Sequence, residues 1–347
     1  MSLKRIEELD ALRGIAALLV VGFHYVMRTE YSHTPLIYGV TGVDLFFIIS
    51  GYVIFLTLNR TRDWRDFVVS RFARLYPAYW FAVLFTGVLF YFFDRGGFRF
   101  TMIPMNLTMF QRLFDKQDLD GPYWTLWVEL VFYALMLLVL FTRSVQSIYR
   151  NGLIALLLLL VFHLAGLSFF PEAYPAITKR ISFLSHAPLF FAGIVFFNLR
   201  ARQRWYDHLV LLGCLLFACL LHDRGGHSYK HMNQAMHAAI TAFYFAVFYL
   251  FCYGRLGFIK NKITLFLGRI SYSLYLIHQF VSTKVIIPTL IERYHFSRIE
   301  ASLIALAVVI ALATFMNQYI EEPANQWIKG TYKAWKNRKP VEKEVLV

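Results

Sequence analysis

Long apolar segments recur along almost the whole chain, and each has about the length of a membrane-spanning helix. Short polar or charged stretches separate them, and several are interrupted by glycine, proline or a single polar residue. Because a helix needs roughly 20 apolar residues to cross a bilayer, the pattern predicts about ten transmembrane helices. The segments lie near residues 13–28, 39–58, 76–93, 123–141, 152–170, 182–199, 207–222, 233–253, 270–290 and 300–320.

The composition supports a membrane protein. The 347 residues are 58% hydrophobic and only 16% charged, whereas soluble domains are close to half apolar and about a quarter charged. This balance excludes a soluble enzyme with one anchor, a disordered chain and a small secreted domain built on disulfides. The three cysteines lie in apolar runs, and we interpret them as core residues. The fold class that follows is an all-α polytopic membrane protein.

The basic residues are shared unevenly between the two sides of the predicted bundle. The chain carries a formal net charge of +14, and the larger part of its 35 lysines and arginines falls on the side that also holds both termini. Cytoplasmic loops carry an excess of such residues, so we expect both termini to be cytoplasmic. An even number of spans agrees with this, and we expect a multi-pass protein of the cytoplasmic (inner) membrane.

Two stretches place apolar and basic residues at helical spacing without the length of a clean span. They are residues 62–75 and the tail that starts at Pro323. Helices of this kind lie in the headgroup layer, so we predict short interfacial amphipathic helices at both places. We interpret residues 1–347 as a single integral-membrane domain, with a core at about 8–323 and a basic cytoplasmic interfacial tail at 324–347.

Polar and ionisable residues inside the predicted spans are few. In a bilayer each ionisable group costs several kcal/mol, so it should face the bundle interior or a wet cavity. Three of the histidines have no motif around them, and we interpret these three (His163, His186 and His237) as core or cavity residues. The full set is Arg13, His24, Asp44, Ser50, Glu129, His163, His186, His237, His278 and Lys284.

Arg13 and His24 are eleven residues apart in the first predicted span. This spacing puts them on one helical face, about 16 Å apart along the axis. We expect them to line one cavity, with the arginine at its cytoplasmic mouth and the imidazole near mid-membrane. The alternative is an arginine that reaches lipid headgroups and a histidine that is hydrogen-bonded in the core.

Asp44 and Glu129 are isolated carboxylates in apolar surroundings. Without a partner, each would rather be protonated than charged, so partners are expected. Arg13 and His24 are the candidates for one or both. A purely structural ion pair inside the membrane is the alternative for each carboxylate.

Arg71 and Arg74 are spaced i, i+3 after the second predicted span, so they share a helical face directed at the membrane surface. An arginine pair of this kind contacts lipid phosphates or binds a phosphate-rich soluble ligand. The two interpretations stay open at this point.

Ser271, Tyr275 and His278 are spaced i, i+4 and i+7 in the ninth predicted span. They therefore form one polar stripe along a helix face. A row of hydrogen bonds that packs helices together is the alternative to a functional role.

These elements occur together in an order that resembles the membrane-bound acyltransferase-3 family over essentially the whole chain. No single block is specific, but their order and spacing relative to the spans are. The blocks are Leu12-Arg13-Gly14 with His24, the segment from Gly42 to Gly51, the segment from Arg71 to Pro77, the segment from Trp124 to Glu129, the segment from Ser271 to His278, and Glu322-Pro323.

The resemblance implies transfer of an acyl group, usually acetyl, from cytoplasmic acyl-CoA to a hydroxyl of a carbohydrate or glycan acceptor, commonly at the non-cytoplasmic face. In the family, the arginine–histidine pair of the first span is required for activity, which maps to Arg13 and His24. The Arg-x-x-Arg element is linked to binding of the CoA donor, which maps to Arg71 and Arg74. Some relatives carry a further hydrolase-like domain, and we expect this chain to be a stand-alone form without it.

A mechanism follows from these residues as a hypothesis. The His24 imidazole deprotonates the acceptor hydroxyl, or is acylated first and passes the group on. Asp44 or Glu129 orients the imidazole, while Ser50 and Tyr275 are candidate donors to the thioester oxygen. Arg13 serves both catalysis and donor binding. Supporting roles fall to Ser271, His278 and Glu322.

The expected partners are acyl-CoA, most simply acetyl-CoA, a glycan acceptor and the lipid bilayer. No metal and no nucleic acid is expected, and a second copy or a separate periplasmic partner stays open. The rival function is a multi-span transporter or flippase, because ionisable residues inside a bundle also suit transport. An inactive scaffold that keeps the fold is a third alternative.

Overall fold

A computed structural model describes residues 6–61 and 63–338 as a bundle of helices. Some of the basic residues counted in the charge argument lie outside the described residues. They are Lys4, Arg5, Arg62 and those at the end of the basic tail. The α-helices are α1 Glu7–Val26, α2 Gly42–Leu58, α3 Trp64–Phe93, α4 Met102–Leu107, α5 Trp124–Phe141, α6 Ile148–Phe169, α7 Ala173–Arg180, α8 Phe183–Arg202, α9 Trp205–Leu220, α10 Gln234–Cys252, α11 Lys262–Phe280, α12 Ile287–Tyr294, α13 Arg298–Met316 and α14 Glu322–Arg338.

Short tighter or wider helical turns join several of these elements. A turn of π-helix at Val281–Ile286 continues α11 into α12, and another at Asn317–Glu321 continues α13 into α14. Turns of 3-10 helix lie at Glu30–His33, Pro35–Thr41, Gly121–Tyr123, Val145–Ser147, Ser228–Lys230 and Gly257–Ile259. Within the described ranges the chain forms helices and no strands.

Each predicted apolar segment is helical. In the described part of the chain, nine helical stretches are long and apolar enough to cross a membrane, and α9 is a shorter apolar helix at the place of the seventh predicted span. The all-α polytopic fold class is therefore confirmed. Many large apolar side chains are exposed on the outside of the bundle, for example Leu158 and Phe243, as expected for surfaces that face lipid rather than water.

Two pairs of glycines let helices cross at backbone contact. Gly14 of α1 lies against Gly268 of α11, where a Cβ atom on Gly268 would overlap the carbonyl oxygen of Asp10. Gly51 of α2 and Gly193 of α8 make the same kind of crossing. Small residues at membrane-helix interfaces permit this close approach, which fixes how far one helix slides along the other. Arg13 is adjacent to the first crossing and Ser50 to the second.

The two stretches predicted to be separate interfacial helices belong to longer helices. The first stretch was predicted over residues 62–75. Its part from Trp64 onward forms the first turns of the 30-residue helix α3, which continues past Pro77 to Phe93. The tail forms α14, which has no buried residue and is tied to the start of α3. The tie runs from Lys336 Nζ to Asp63 and Asp66, at 2.9 and 2.6 Å. The tail and the arginine-bearing helix are therefore one unit.

We predict that Gly268→Ala lowers the free energy of unfolding by about 1–3 kcal/mol, because the added methyl must push α1 away from α11. Thermal denaturation of the purified protein in detergent measures this loss. Gly213→Ala in α9 is the matched control, since a Cβ there meets nothing within 4 Å. Equal midpoints for the two variants would contradict the close crossing.

Candidate active site

A polar pocket opens between α1, α2, α3, α5 and α11. It contains about 750 Å³ of space, including the part open to solvent. Seven of the predicted site residues line it together although they come from five helices. These seven are Arg13, Ser50, Arg71, Arg74, Glu129, Ser271 and Tyr275.

Glu129 is the carboxylate inside this pocket. Its Oε1 accepts hydrogen bonds from Ser50 Oγ at 3.1 Å and from Tyr133 OH at 2.5 Å. Tyr133 is one helical turn further along α5, so the i, i+4 spacing brings the phenol onto the carboxylate. Neither Arg13 nor His24 makes these hydrogen bonds, although Arg13 attracts Glu129 electrostatically. Two hydroxyl donors hold Glu129 in place instead.

Arg74 is neutralised by a carboxylate that the sequence argument did not select. Its guanidinium pairs with Glu321, whose other oxygen accepts from Ser273 Oγ at 2.6 Å. The Arg74 guanidinium also lies over the Tyr272 ring, 5.3 Å from its centroid. Only 1% of the Glu321 side chain is exposed. Arg74 is therefore a fixed, charge-compensated wall of the pocket.

Arg71 has a different environment on the same helix. Its Nη2 donates to Ser70 Oγ at 3.2 Å, and its guanidinium lies over the rings of Phe67 and Tyr133 at 5.9 and 5.7 Å. Its buried Nε has no hydrogen-bond partner, and no carboxylate among the described residues forms an ion pair with it. Arg71 therefore presents an uncompensated charge to the pocket, as an anion-binding residue does.

Two more cations approach this arginine pair. Arg13 is repelled by Arg74 and attracted by Glu129, and it forms an ion pair with Asp10 Oδ1 at 3.9 Å. Lys329 of α14 interacts electrostatically with both Arg71 and Arg74. The start of the pocket thus gathers cations from α1, α3 and α14, which suits a ligand with several negative charges.

The polar stripe of α11 leads from this pocket towards His24. Ser271 and Tyr275 line the pocket, and the Tyr275 hydroxyl is 2.8 Å from Thr125 Oγ1. The Tyr275 ring centroid is 5.7 Å from that of His278, whose Nε2 is 3.0 Å from His24 Nδ1. The i, i+4, i+7 stripe therefore runs from the pocket that contains the arginines to the surroundings of His24.

The hydrogen bonds of the two histidines determine which nitrogens carry protons. Val20 O lies 2.8 Å from His24 Nδ1, and Tyr275 O lies 2.9 Å from His278 Nδ1. Carbonyl oxygens only accept, so both Nδ1 atoms are donors. In neutral rings, His278 Nε2 then accepts from the shared His24 Nδ1–H. The Nε2 atom of His24 keeps its lone pair, which is the state that a general base or nucleophile needs.

His24 lies in the last turn of α1 and lines a second pocket, not the one that contains Arg13. The second pocket contains about 940 Å³ including open space, and Gln279 and Lys284 also line it. The expectation that Arg13 and His24 share one cavity is therefore wrong. The helical face is shared, but the side chains of Tyr275 and His278 on α11 lie between the two ends.

Two further assignments are corrected. Asp44 does not reach Arg13 or His24, because its Oδ2 lies 3.3 Å from His237 Nε2 on another side of α2. Glu322 is exposed, whereas its neighbour Glu321 is buried. Glu321 comes one wide π-turn after the buried Asn317 and faces the bundle as Asn317 does, which leaves Glu322 on the outside.

The sequence argument missed four residues that interact with the pocket's charged groups: Tyr133, Tyr272, Glu321 and Lys329. A signal was available for Tyr133, since it follows Glu129 by four positions in a helix. Tyr272 lies within the motif that was selected for its neighbours. Glu321 and Lys329 depend on the π-turn and on the docking of α14, and neither is visible in the local pattern.

Comparison with known proteins identifies relatives over part or most of the chain. The family model described as an acyltransferase domain matches residues 6–329. A Bacillus subtilis (strain 168) protein named "Putative peptidoglycan O-acetyltransferase YrhL" is 37% identical over 93 residues, which is 25% of this chain and 14% of that protein. The peptidoglycan O-acetyltransferase OatA of Listeria monocytogenes serovar 1/2a is 32% identical over 83 residues, 22% of this chain and 12% of its own. The match thus spans a small part of these relatives' length. No solved structure matches the chain.

We predict that Glu321→Gln lowers the free energy of unfolding by about 1–3 kcal/mol, because the substitution leaves the Arg74 charge without its buried partner. Glu322→Gln should change it by less than about 0.5 kcal/mol, as is usual for an exposed position. Thermal denaturation of both variants in the same detergent measures the difference. A larger loss in Glu322→Gln would show that the carboxylates are assigned in the wrong order.

Proposed function

This chain belongs to the acyltransferase-3 family, and from that premise we propose that it is a membrane O-acyltransferase. The donor is acyl-CoA, most simply acetyl-CoA, and the acceptor is a hydroxyl of a glycan. The observation that carries the proposal is the pair of pockets at the two ends of α1 and α11, joined by the stripe from Ser271 through Tyr275 to His278 and His24. A donor on one side and an acceptor on the other require such a pair.

The pocket that contains the arginines suits the CoA end of the donor. Arginine forks bind phosphate oxygens bidentately, and the free Nε of Arg71 offers a donor that no described residue uses. CoA carries several phosphate charges, and the gathered cations match them. The acyl-pantetheine arm would extend along the apolar and hydroxyl-lined wall, past Ser50, towards Tyr275.

The chemistry would take place where His24 meets the acyl group. His24 Nε2 takes the proton of the acceptor hydroxyl as its oxygen attacks the thioester carbon, and the C–S bond breaks as CoA thiolate leaves and is protonated. His278 orients the His24 imidazole, because its Nε2 accepts from His24 Nδ1–H. The alternative order has His24 Nε2 attack the thioester first and pass the acyl group to the hydroxyl, with an acyl-imidazole between the two steps. In both orders one free ester and one CoA thiol are the products.

The acceptor and the sidedness are part of the same proposal. The two relatives are named for acetylation of peptidoglycan, so a cell-wall glycan is the acceptor to test first. The excess of basic residues near both termini supports cytoplasmic termini in the inner membrane. With this orientation the arginine pocket faces the cytoplasmic supply of CoA, and the pocket at His24 faces the glycan.

We predict that His24→Ala lowers acetyl transfer from acetyl-CoA to peptidoglycan fragments by about 100- to 10,000-fold, the usual contribution of a positioned general base. Initial rates with purified protein and radiolabelled donor measure this. His208→Ala is the matched control, because His208 also makes a ring-nitrogen hydrogen bond but lies on α9, outside both pockets. Wild-type turnover in His24→Ala would remove the base assignment. Intersecting double-reciprocal lines in the wild type would indicate direct transfer, and parallel lines an acyl-His24 intermediate.

We predict that Arg71→Ala weakens binding of acetyl-CoA by about 10- to 100-fold, since a hydrogen bond to a charged group contributes about 1.5–3 kcal/mol. Titration calorimetry in detergent measures the Kd. Arg65→Ala is the control, because Arg65 is exposed on the same helix and its loss removes the same charge. Equal weakening in both variants would mean that general attraction and not a site binds the donor. If Arg71→Ala abolished proton-coupled uptake of a solute and left acyl transfer unchanged, a transporter would be favoured.

A further inference from the structure

A second polar cluster lies on another side of α2, away from the pocket that contains Arg71 and Arg74 (the acyl pocket). It joins the first turn of α2 with the first turn of α8, the connection from α9 to α10 and the first turn of α10. The cluster lines a small cleft of about 260 Å³, including the part open to solvent. Its titratable members are Asp44, His186, His222, His227 and His237, and none of them lines the acyl pocket.

Two of the histidines meet in an arrangement that neutral imidazoles do not tolerate. His186 Nδ1 donates to Ser182 O at 2.8 Å, and His227 Nε2 donates to Val40 O at 3.1 Å, because carbonyl oxygens only accept. In neutral rings, the other two nitrogens then carry lone pairs. These atoms, His186 Nε2 and His227 Nδ1, face each other at 3.0 Å. A cation is needed beside them, and it is either a proton or a metal ion.

Asp44 completes a set of metal ligands. One carboxylate oxygen of Asp44 and one ring nitrogen from each of His186 and His227 lie within 4.8 Å of one another. Asp44 is 2% exposed and His186 is 3% exposed. His237 Nε2 lies 3.3 Å from Asp44 Oδ2 and orients the carboxylate from the side. Two imidazoles and one carboxylate are the donors that zinc and related ions prefer.

The outer contacts have the form found around bound metal ions. Metal-ligating histidines usually donate their second N–H to a backbone carbonyl or a carboxylate, which fixes the tautomer and turns the free nitrogen towards the metal. His186 and His227 both do so, from elements far apart in the chain. The accessible space beside them is small, about that of a single water, which suits one bound ion.

We propose that this cluster is a binding site for a divalent transition-metal ion of the zinc type, with His186 Nε2, His227 Nδ1 and the Asp44 carboxylate as ligands. His237 positions Asp44. The ion would tie the start of α2 to the start of α8 and to the connection that carries His227. The sequence predicts no such site, because its ligands are spread from position 44 to position 227 without any metal-ligand spacing.

The test measures metal content on the full chain in detergent. The purified protein is loaded with Zn²⁺, separated from free ion by gel filtration and analysed by mass spectrometry of the metal. The wild type should retain about one ion per chain. His186→Ala and His227→Ala should fall to background, while the control His208→Ala should retain the ion, because His208 lies on α9 outside the cluster.

A second measurement keeps the test decisive if an alanine variant does not fold. Asp44→Asn keeps the shape of the side chain but loses the charge, and its elution volume and helical circular dichroism report the fold. Loading with Co²⁺ should give the wild type strong visible absorption of four-coordinate cobalt, which a folded Asp44→Asn should lack. A chelator should lower the melting temperature of the wild type and leave that of Asp44→Asn unchanged.

The opposite results overturn the proposal. A folded wild type that retains neither Zn²⁺ nor Co²⁺ would mean that the two imidazoles share a proton, balanced by Asp44. Equal loss of metal from His208→Ala would mean that the ion is bound non-specifically at the surface. Metal that persists in both His186→Ala and His227→Ala would place it elsewhere in the chain.

Discussion

The backbone contact of α1 with α11 at Gly14 and Gly268 determines the register of the site. Because neither glycine has a side chain, the two helices touch at one height and do not slide. That height places Arg13 beside the pocket lined by Ser271, and it places His24 opposite His278 about three helical turns further on. A shift of one residue along α11 would separate the two imidazoles, since their contact is a single 3.0 Å approach.

The charges of the pocket are arranged so that rigidity and ligand binding fall on different arginines. Arg74 is held by Glu321 and the Tyr272 ring, so it has little freedom to change partners. Arg71 is stacked on aromatic rings, which orient the guanidinium but do not neutralise it. Arg71 is half-buried and has no carboxylate partner among the described residues, so an anionic ligand would gain a charge-assisted hydrogen bond there. Helices α14 and α3 are joined by the ion pairs of Lys336, and Lys329 of α14 adds a further positive charge near both arginines.

The periodicity of the sequence correctly predicted features that depend on a single helix. It failed for contacts that depend on how neighbouring helices pack. The ten apolar segments correspond to observed helices, since length and hydropathy alone set them. The stripe of Ser271, Tyr275 and His278 lies as its spacing predicts. The shared face of Arg13 and His24 is also real, yet a face does not reveal which side chains of α11 lie along it. The partner of Asp44 depends on where α10 packs, and Glu321 depends on a π-turn, so neither was accessible to pattern.

Helix α2 carries the start of both polar regions and therefore relates them mechanically. Asp44 and Ser50 are six residues apart, which puts them about 120° apart around the helix and about 9 Å apart along it. Ser50 contacts Glu129 in the pocket that contains Arg71 and Arg74, whereas Asp44 contacts His237 in the second cluster. Phe47 lies between them, lining the pocket and packing edge-on against His186 at 5.0 Å. Because Gly51 locks α2 against α8 at backbone contact, α2 cannot tilt to follow one region without moving the other. The Ser50 support of Glu129 and the Asp44 end of the histidine cluster are thus built on one helix, whose place is fixed by its crossing with α8.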